Sequence, residues 1–221
     1  MPASSPQRMA LESEADELFY GGAAGGGKTD LLLGAAITQH RRSIIFRREY
    51  TQRRGVINRS RELLRPIASW NGTDKLWTID EDHSVELGAV QLEDDKENYQ
   101  ERPHDLKGFD ELPQMSESQY RFIIAWNRSA YPDQRCRVIA TGNPPTSTAG
   151  QWVIEYWAPW LDAAHPNPAA PGELRWFAHI DGKDVEVPDG TPFIHGDEEI
   201  VPRSRTFIPA RLSDNPYLIG T

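Results

Sequence analysis

Apolar and polar residues switch between two periods along the first 145 positions, and the switching outlines a fold. Short apolar runs at 17–21 and 43–47 read as buried strands, and 106–110 reads as another despite Lys107 inside it. Helical spacing follows the first run at 27–38, and a second helix falls within 50–66, closed by Pro66. Residues 76–79 and 84–92 alternate apolar with polar, which predicts a hairpin turned by Asp80-Glu-Asp82. Ser116 as N-cap with Gln119 three residues on predicts a helix over 116–128, and 137–141 reads as the next strand. Strands alternating with helices predict an α/β fold whose parallel sheet is covered on both faces.

Beyond Pro144 the pattern changes. Residues 151–162 read as a short Trp-rich helix and 163–173 as a Pro/Ala linker. Asp181-Gly182, between 174–180 and 183–187, marks a tight hairpin. The chain thus divides into a core over 1–150 and an extension over 151–221. The extension is either a small lid or linker, or strands added to the same sheet.

The first strand-to-helix junction carries the most specific chemistry. Gly21-Gly-Ala-Ala-Gly-Gly-Gly-Lys-Thr29 fits G-x-x-x-x-G-K-[ST] from Gly22, the phosphate-cradling P-loop. Gly22, Ala23, Ala24, Gly25, Gly26 and Gly27 supply inward-pointing N–H groups for an ATP phosphate chain. Lys28, Thr29 and Asp30 open the following helix, whose positive end faces the same phosphates. Lys28 reaches the β- and γ-phosphates, and the Thr29 hydroxyl suits Mg²⁺.

Such a loop needs acids nearby. Asp110-Glu111 ends the 106–110 strand, where the first acid suits holding Mg²⁺ through water and the second a water-activating base. Thr141 and Asn143 leave the next strand at the same edge of the sheet, where a polar side chain such as Asn143 suits sensing of the ATP γ-phosphate; the alternative is an ordinary turn built from Gly, Asn and Pro. The Gln7 amide, donor and acceptor at once, matches an adenine edge; the alternative is a frayed tail, as expected for the polar residues 1–6.

Composition adds limits. At 221 residues, 38% hydrophobic and 26% charged, the chain suits one substantial core. No apolar run is long enough to span a bilayer and no secretory signal is visible, so no membrane partner is expected. The single cysteine, Cys136, excludes an internal disulfide, is expected as a buried structural thiol in a strand, and suits a reducing cytoplasm. A net charge of −9 argues against a nucleic-acid binder, yet residues 41–65 hold nine arginines against Glu49 and Glu62. That local +7 leaves −16 for the remainder, so the segment is either an electrostatic footprint for DNA or a partner subunit, or a solvated helix face.

With these residues in view, the chain resembles the large subunit of tailed-bacteriophage terminases, the motors that pump DNA into empty capsids. The similarity runs through Ala15-Asp-Glu-Leu-Phe-Tyr-Gly-Gly-Ala-Ala-Gly-Gly-Gly-Lys-Thr29, Phe46-Arg-Arg-Glu-Tyr50, Gly108-Phe-Asp-Glu-Leu112, Gln119-Tyr120, Thr141-Gly-Asn-Pro-Pro145 and Phe207-Ile-Pro-Ala-Arg-Leu-Ser-Asp-Asn-Pro-Tyr217. It implies a P-loop, RecA-like domain of the additional-strand, catalytic-glutamate type. Lys28 and Thr29 take the phosphate and Mg²⁺ roles, Asp110 the metal-carboxylate role and Glu111 the base role. Thr141, Gly142 and Asn143 match the motif that couples hydrolysis to DNA movement, and Gln7 matches an adenine-contacting glutamine.

The resemblance also implies partners: double-stranded DNA, the portal, the small terminase subunit and a homo-oligomeric ring on the procapsid in the host cytoplasm. In isolation a monomer is expected. An arginine from a neighbouring subunit completes each site in such rings; Arg102 is the candidate, with Arg47 and Arg48 as alternatives. The chain departs from the family pattern at Tyr99-Gln-Glu-Arg102, where many relatives have Tyr-Gln-Gly. It also ends at Thr221 without room for the family's nuclease domain, so an isolated motor domain without nuclease activity is expected. Two other readings fit the loop: a different P-loop translocase or helicase-type ATPase, and a non-hydrolysing nucleotide-binding assembly module. Glu111 argues against the second, since a pure binder needs no acid after the metal aspartate.

Overall fold

The computed structural model describes residues 5–22, 27–143, 145 and 148–210. The first half runs α1 (Ser5–Glu12), β1 (Glu17–Gly22), α2 (Lys28–Thr38), β2 (Arg42–Arg47), α3 (Arg53–Leu64), β3 (Ser69–Asn71), β4 (Leu76–Thr78) and β5 (Ser84–Ala89). It continues with β6 (Leu106–Phe109), α4 (Glu117–Ile124), β7 (Arg137–Gly142), α5 (Gln151–Tyr156) and α6 (Ala158–Leu161). Strands β8 (Arg175–Ile180), β9 (Lys183–Val187), β10 (Phe193–His195), β11 (Glu198–Ile200) and β12 (Arg203–Ala210) close the described chain.

Among the described residues, ten strands form one sheet in the order β3-β4-β5-β2-β6-β7-β1-β12-β8-β9. The central six, from β5 to β12, are mutually parallel. Both edges are antiparallel, so the sheet is mixed and not the parallel one that the strand–helix alternation predicts. Three of the antiparallel pairs, β3–β4, β4–β5 and β8–β9, are closed by short turns, which cannot make a parallel crossover; the fourth, β8–β12, joins strands separated by β9 to β11. Asp181 and Gly182 both take positive φ, 51° and 75°, as the two-residue hairpin turn requires. Residues beyond 150 add β8, β9 and β12 to the central sheet.

Two apolar clusters cover the sheet. One packs α1, α2 and α3 on Leu18, Tyr20, Ile45 and Ile139; the other packs α4, α5 and α6 on Phe19, Ile44, Phe46 and Val138. The predicted 116–128 helix starts at its capping box, with Gln119 N–H donating to Ser116 Oγ at 3.0 Å. It stops at Ile124, and the Asn127 amide turns back to the carbonyls of His104 and Asp105. The predicted 151–162 helix breaks at Trp157, because Pro159 lacks the N–H that would continue it. Cys136 lies just before β7, half-buried and outside the strand, contrary to the expected buried position.

Lys107 sits in β6 as predicted and is fully buried. Its Nζ donates to the Arg102 carbonyl at 2.9 Å and to His104 Nδ1 at 3.0 Å. Burial pushes the Lys107 ammonium down to about 7 and His104 below its ordinary value.

Candidate nucleotide site

Parallel strands leave their carboxyl ends on one side of the sheet, and the candidate residues gather there. β1 and β7 pair with Gly21 opposite Gly142, and β2 and β6 with Phe46 opposite Phe109. The ends of β1, β7, β6 and β2 therefore deliver Gly22, Asn143, Asp110 and Arg47 to one edge.

Gly22 has φ 145°, and a Cβ there would collide with the Ala210 carbonyl of β12, so a glycine is required. Ala23, Ala24, Gly25 and Gly26 lie outside the described residues. Gly27, with φ 71°, precedes α2 without a side-chain cap, leaving the first helical N–H groups to an incoming acceptor. Gln7 Nε2 donates to the Gly27 carbonyl at 3.0 Å, so α1 reaches the end of the loop. The buried Arg137 guanidinium holds α1 in place, donating to the Ala10 carbonyl at 3.0 Å.

Lys28 is 8% exposed; its Nζ donates to Asn143 Oδ1 at 2.7 Å and to the Gly22 carbonyl at 3.1 Å, and lies 3.8 Å from Glu111 Oε1. Thr29 Oγ1 is 3.4 Å from Asp110 Oδ2. The other Asp110 oxygen accepts from Thr141 Oγ1 at 3.1 Å. Glu111 adopts the left-handed conformation (φ 61°, ψ 53°), an unusual posture for a residue with a side chain and one that sites of function favour.

Two candidates are engaged differently from the sequence expectation. The Asp30 carboxylate faces α3, where Arg59 Nε and Nη2 grip it at 2.6 and 2.9 Å. Arg102 pairs with Glu86 of its own chain at 2.6 Å, with its side chain 44% exposed. Burial alone would raise Glu86, but the His104 hydrogen bond and Arg102 charge hold it below its ordinary value. Arg47 donates through Nε to Asp110 Oδ2 at 2.9 Å, and Arg48 donates to the Gln114 carbonyl at 2.8 Å. The contacts of Arg47 and Arg59 with the site acids are absent from the sequence reading, which had only the end-of-strand position of Arg47 as a signal.

Among the described residues, no group of three or more His, Cys, Asp or Glu side chains is arranged around a metal position. The oxygens of Thr29 and Asp110 are hard donors close enough to share Mg²⁺, so the residues fit that ion.

Among solved structures, the chain resembles the large terminase from a thermophilic bacteriophage, with a TM-score of 0.52 and 20% identity. The fold is similar to that of part of a phage large terminase. A crystal form of the same protein in complex with ADP gives a TM-score of 0.51 and 18% identity, covering 65% of this chain and 39% of that one. The first match covers 65% of this chain and 40% of the terminase, so this chain spans well under half of that protein's length. No protein-family model and no curated protein matches the chain. The sheet order and this likeness show the RecA-like α/β fold that the sequence predicts.

Proposed function

We propose that this chain hydrolyses ATP to drive double-stranded DNA into a viral procapsid, as the motor domain of a large terminase. The observation that carries this reading is the meeting of Lys28, Thr29, Asp110, Glu111 and Asn143 at one sheet edge. In it, Lys28 and the N–H groups opening α2 bind the phosphates. Glu111 orients the attacking water and accepts its proton. Thr29 and Asp110 would hold Mg²⁺, which neutralises phosphate charge when bound. Thr141 bonds to Asp110 and Asn143 to Lys28, so the 141–143 segment touches both halves of the site, which supports its role in coupling hydrolysis to DNA movement.

The ring on the portal, the small terminase subunit and the host cytoplasm belong to this proposal, as does Arg102 as the arginine offered to a neighbour. Phosphate release from ATP by the purified chain tests the reading. Release should require Mg²⁺ and fall to background in Lys28→Ala; a rate unchanged in Lys28→Ala would remove the proposed site.

A further inference from the structure

Asp110 is 1% exposed, and both of its oxygens are engaged. Thr141 donates to Oδ1, while Arg47 Nε donates to Oδ2 at 2.9 Å. Oδ2 is also the oxygen 3.4 Å from Thr29 Oγ1. A divalent cation shared by Thr29 and Asp110 would therefore draw on the oxygen that Arg47 holds. Two cations on one buried carboxylate oxygen repel each other with little screening from solvent.

Strand register explains why the arginine is there. Phe46 pairs with Phe109, and the Asp110 N–H donates to the Phe46 carbonyl, so Arg47 and Asp110 leave adjacent strands side by side. Beyond Arg47 the chain enters α3, whose Arg59 grips Asp30, the residue after Thr29. The segment 48–52 thus runs from the arginine on the acid, past Arg48 on the Gln114 carbonyl, into α3, which Arg59 ties to α2 through Asp30.

We infer that Arg47 and a divalent cation compete for Asp110 Oδ2, so that loading the cation releases Arg47 and loosens the segment leading into α3. The inference rests on the nucleotide site proposed above. Mn²⁺ titration in the presence of ADP, read by electron paramagnetic resonance, tests it in wild type, Arg47→Gln and Arg47→Lys. Arg47→Gln should bind Mn²⁺ about tenfold more tightly than wild type, and Arg47→Lys, which keeps the charge, should stay near wild type. Equal or weaker binding in Arg47→Gln would overturn the competition alone. Absence of Mn²⁺ binding in all three would remove the metal site and the functional reading with it. A second measurement uses the wild-type fold: the Arg47 Nε–H resonance, assigned by its loss in Arg47→Lys, should exchange faster with water once Mg²⁺ and ADP are added. An unchanged resonance with nucleotide bound would overturn the release.

Discussion

Lys28 Nζ donates to Asn143 Oδ1 at 2.7 Å, joining the start of α2 to the end of β7 across 115 residues of sequence. The bond holds the ammonium at the sheet edge, in reach of both the loop and Glu111. Asn143→Ala should leave thermal stability and ATP affinity nearly unchanged but slow hydrolysis by about ten- to a hundredfold, as expected when a charged group loses its orientation. Steady-state phosphate release with a parallel nucleotide titration checks this, and an unaltered rate would show that Asn143 only fills space.

Lys107 should make stability depend on pH. Its folded-state value is about 7, whereas the unfolded chain holds the proton to about 10.4. Between these values the unfolded state binds more protons, so the Lys107 contribution to stability rises with pH across the window. Melting temperatures of wild type and Lys107→Met should differ most at or below pH 7, with the variant the more stable, and converge towards about pH 10. A gap that stays constant with pH would contradict the buried, proton-releasing lysine.

The arginine-rich segment divides on inspection. Arg41 stacks over Tyr131, and Arg42, Arg47, Arg48, Arg53 and Arg59 donate to carbonyls or carboxylates of their own chain. Arg54, Arg61 and Arg65 are exposed and make no ion pair among the described residues. They recur along one side of α3 and its C-terminal cap, Arg65, and the last two line a cleft of about 430 Å³ with Trp70 and Trp77. If this face carries the DNA contact, replacing all three by alanine should flatten the salt dependence of duplex binding by about 2 to 3 in log–log slope. Arg53→Ala should not. Equal slopes in the triple variant would move the contact elsewhere.

Arg102 must leave Glu86 to serve a neighbouring subunit. The Arg102 end of the pair is open to solvent, while the largely buried Glu86 keeps its contact with His104 when the arginine leaves. Mixing Arg102→Ala with Glu111→Gln subunits on the portal should restore hydrolysis above either alone, since one supplies the arginine and the other the base. No recovery, with each variant assembling normally, would exclude Arg102.

Much of the site is legible in the sequence, because its core is local. The loop ending in Lys28 and Thr29 is contiguous, and Asp110-Glu111 ends an apolar run that reads as a strand. The capping box at Ser116 and the Asp181-Gly182 turn are equally short-range. What escapes is what strand order decides. Arg47 meets Asp110 across 63 residues only because β2 and β6 are neighbours. The partners of β12 are β1 and β8, and no periodicity within 203–210 names them. Lys107 betrays nothing in its own segment either, as its partners Arg102 and His104 lie in an irregular loop.

The central claim is that Glu111, held in the left-handed conformation 3.8 Å from Lys28, is the base for hydrolysis. Single-turnover phosphate release by wild type and Glu111→Gln, with ATP binding measured on both, tests it most directly. The variant should bind ATP as wild type does and release phosphate at least about a hundredfold more slowly, within the range of general-base effects. Equal release rates in the two proteins would contradict the account.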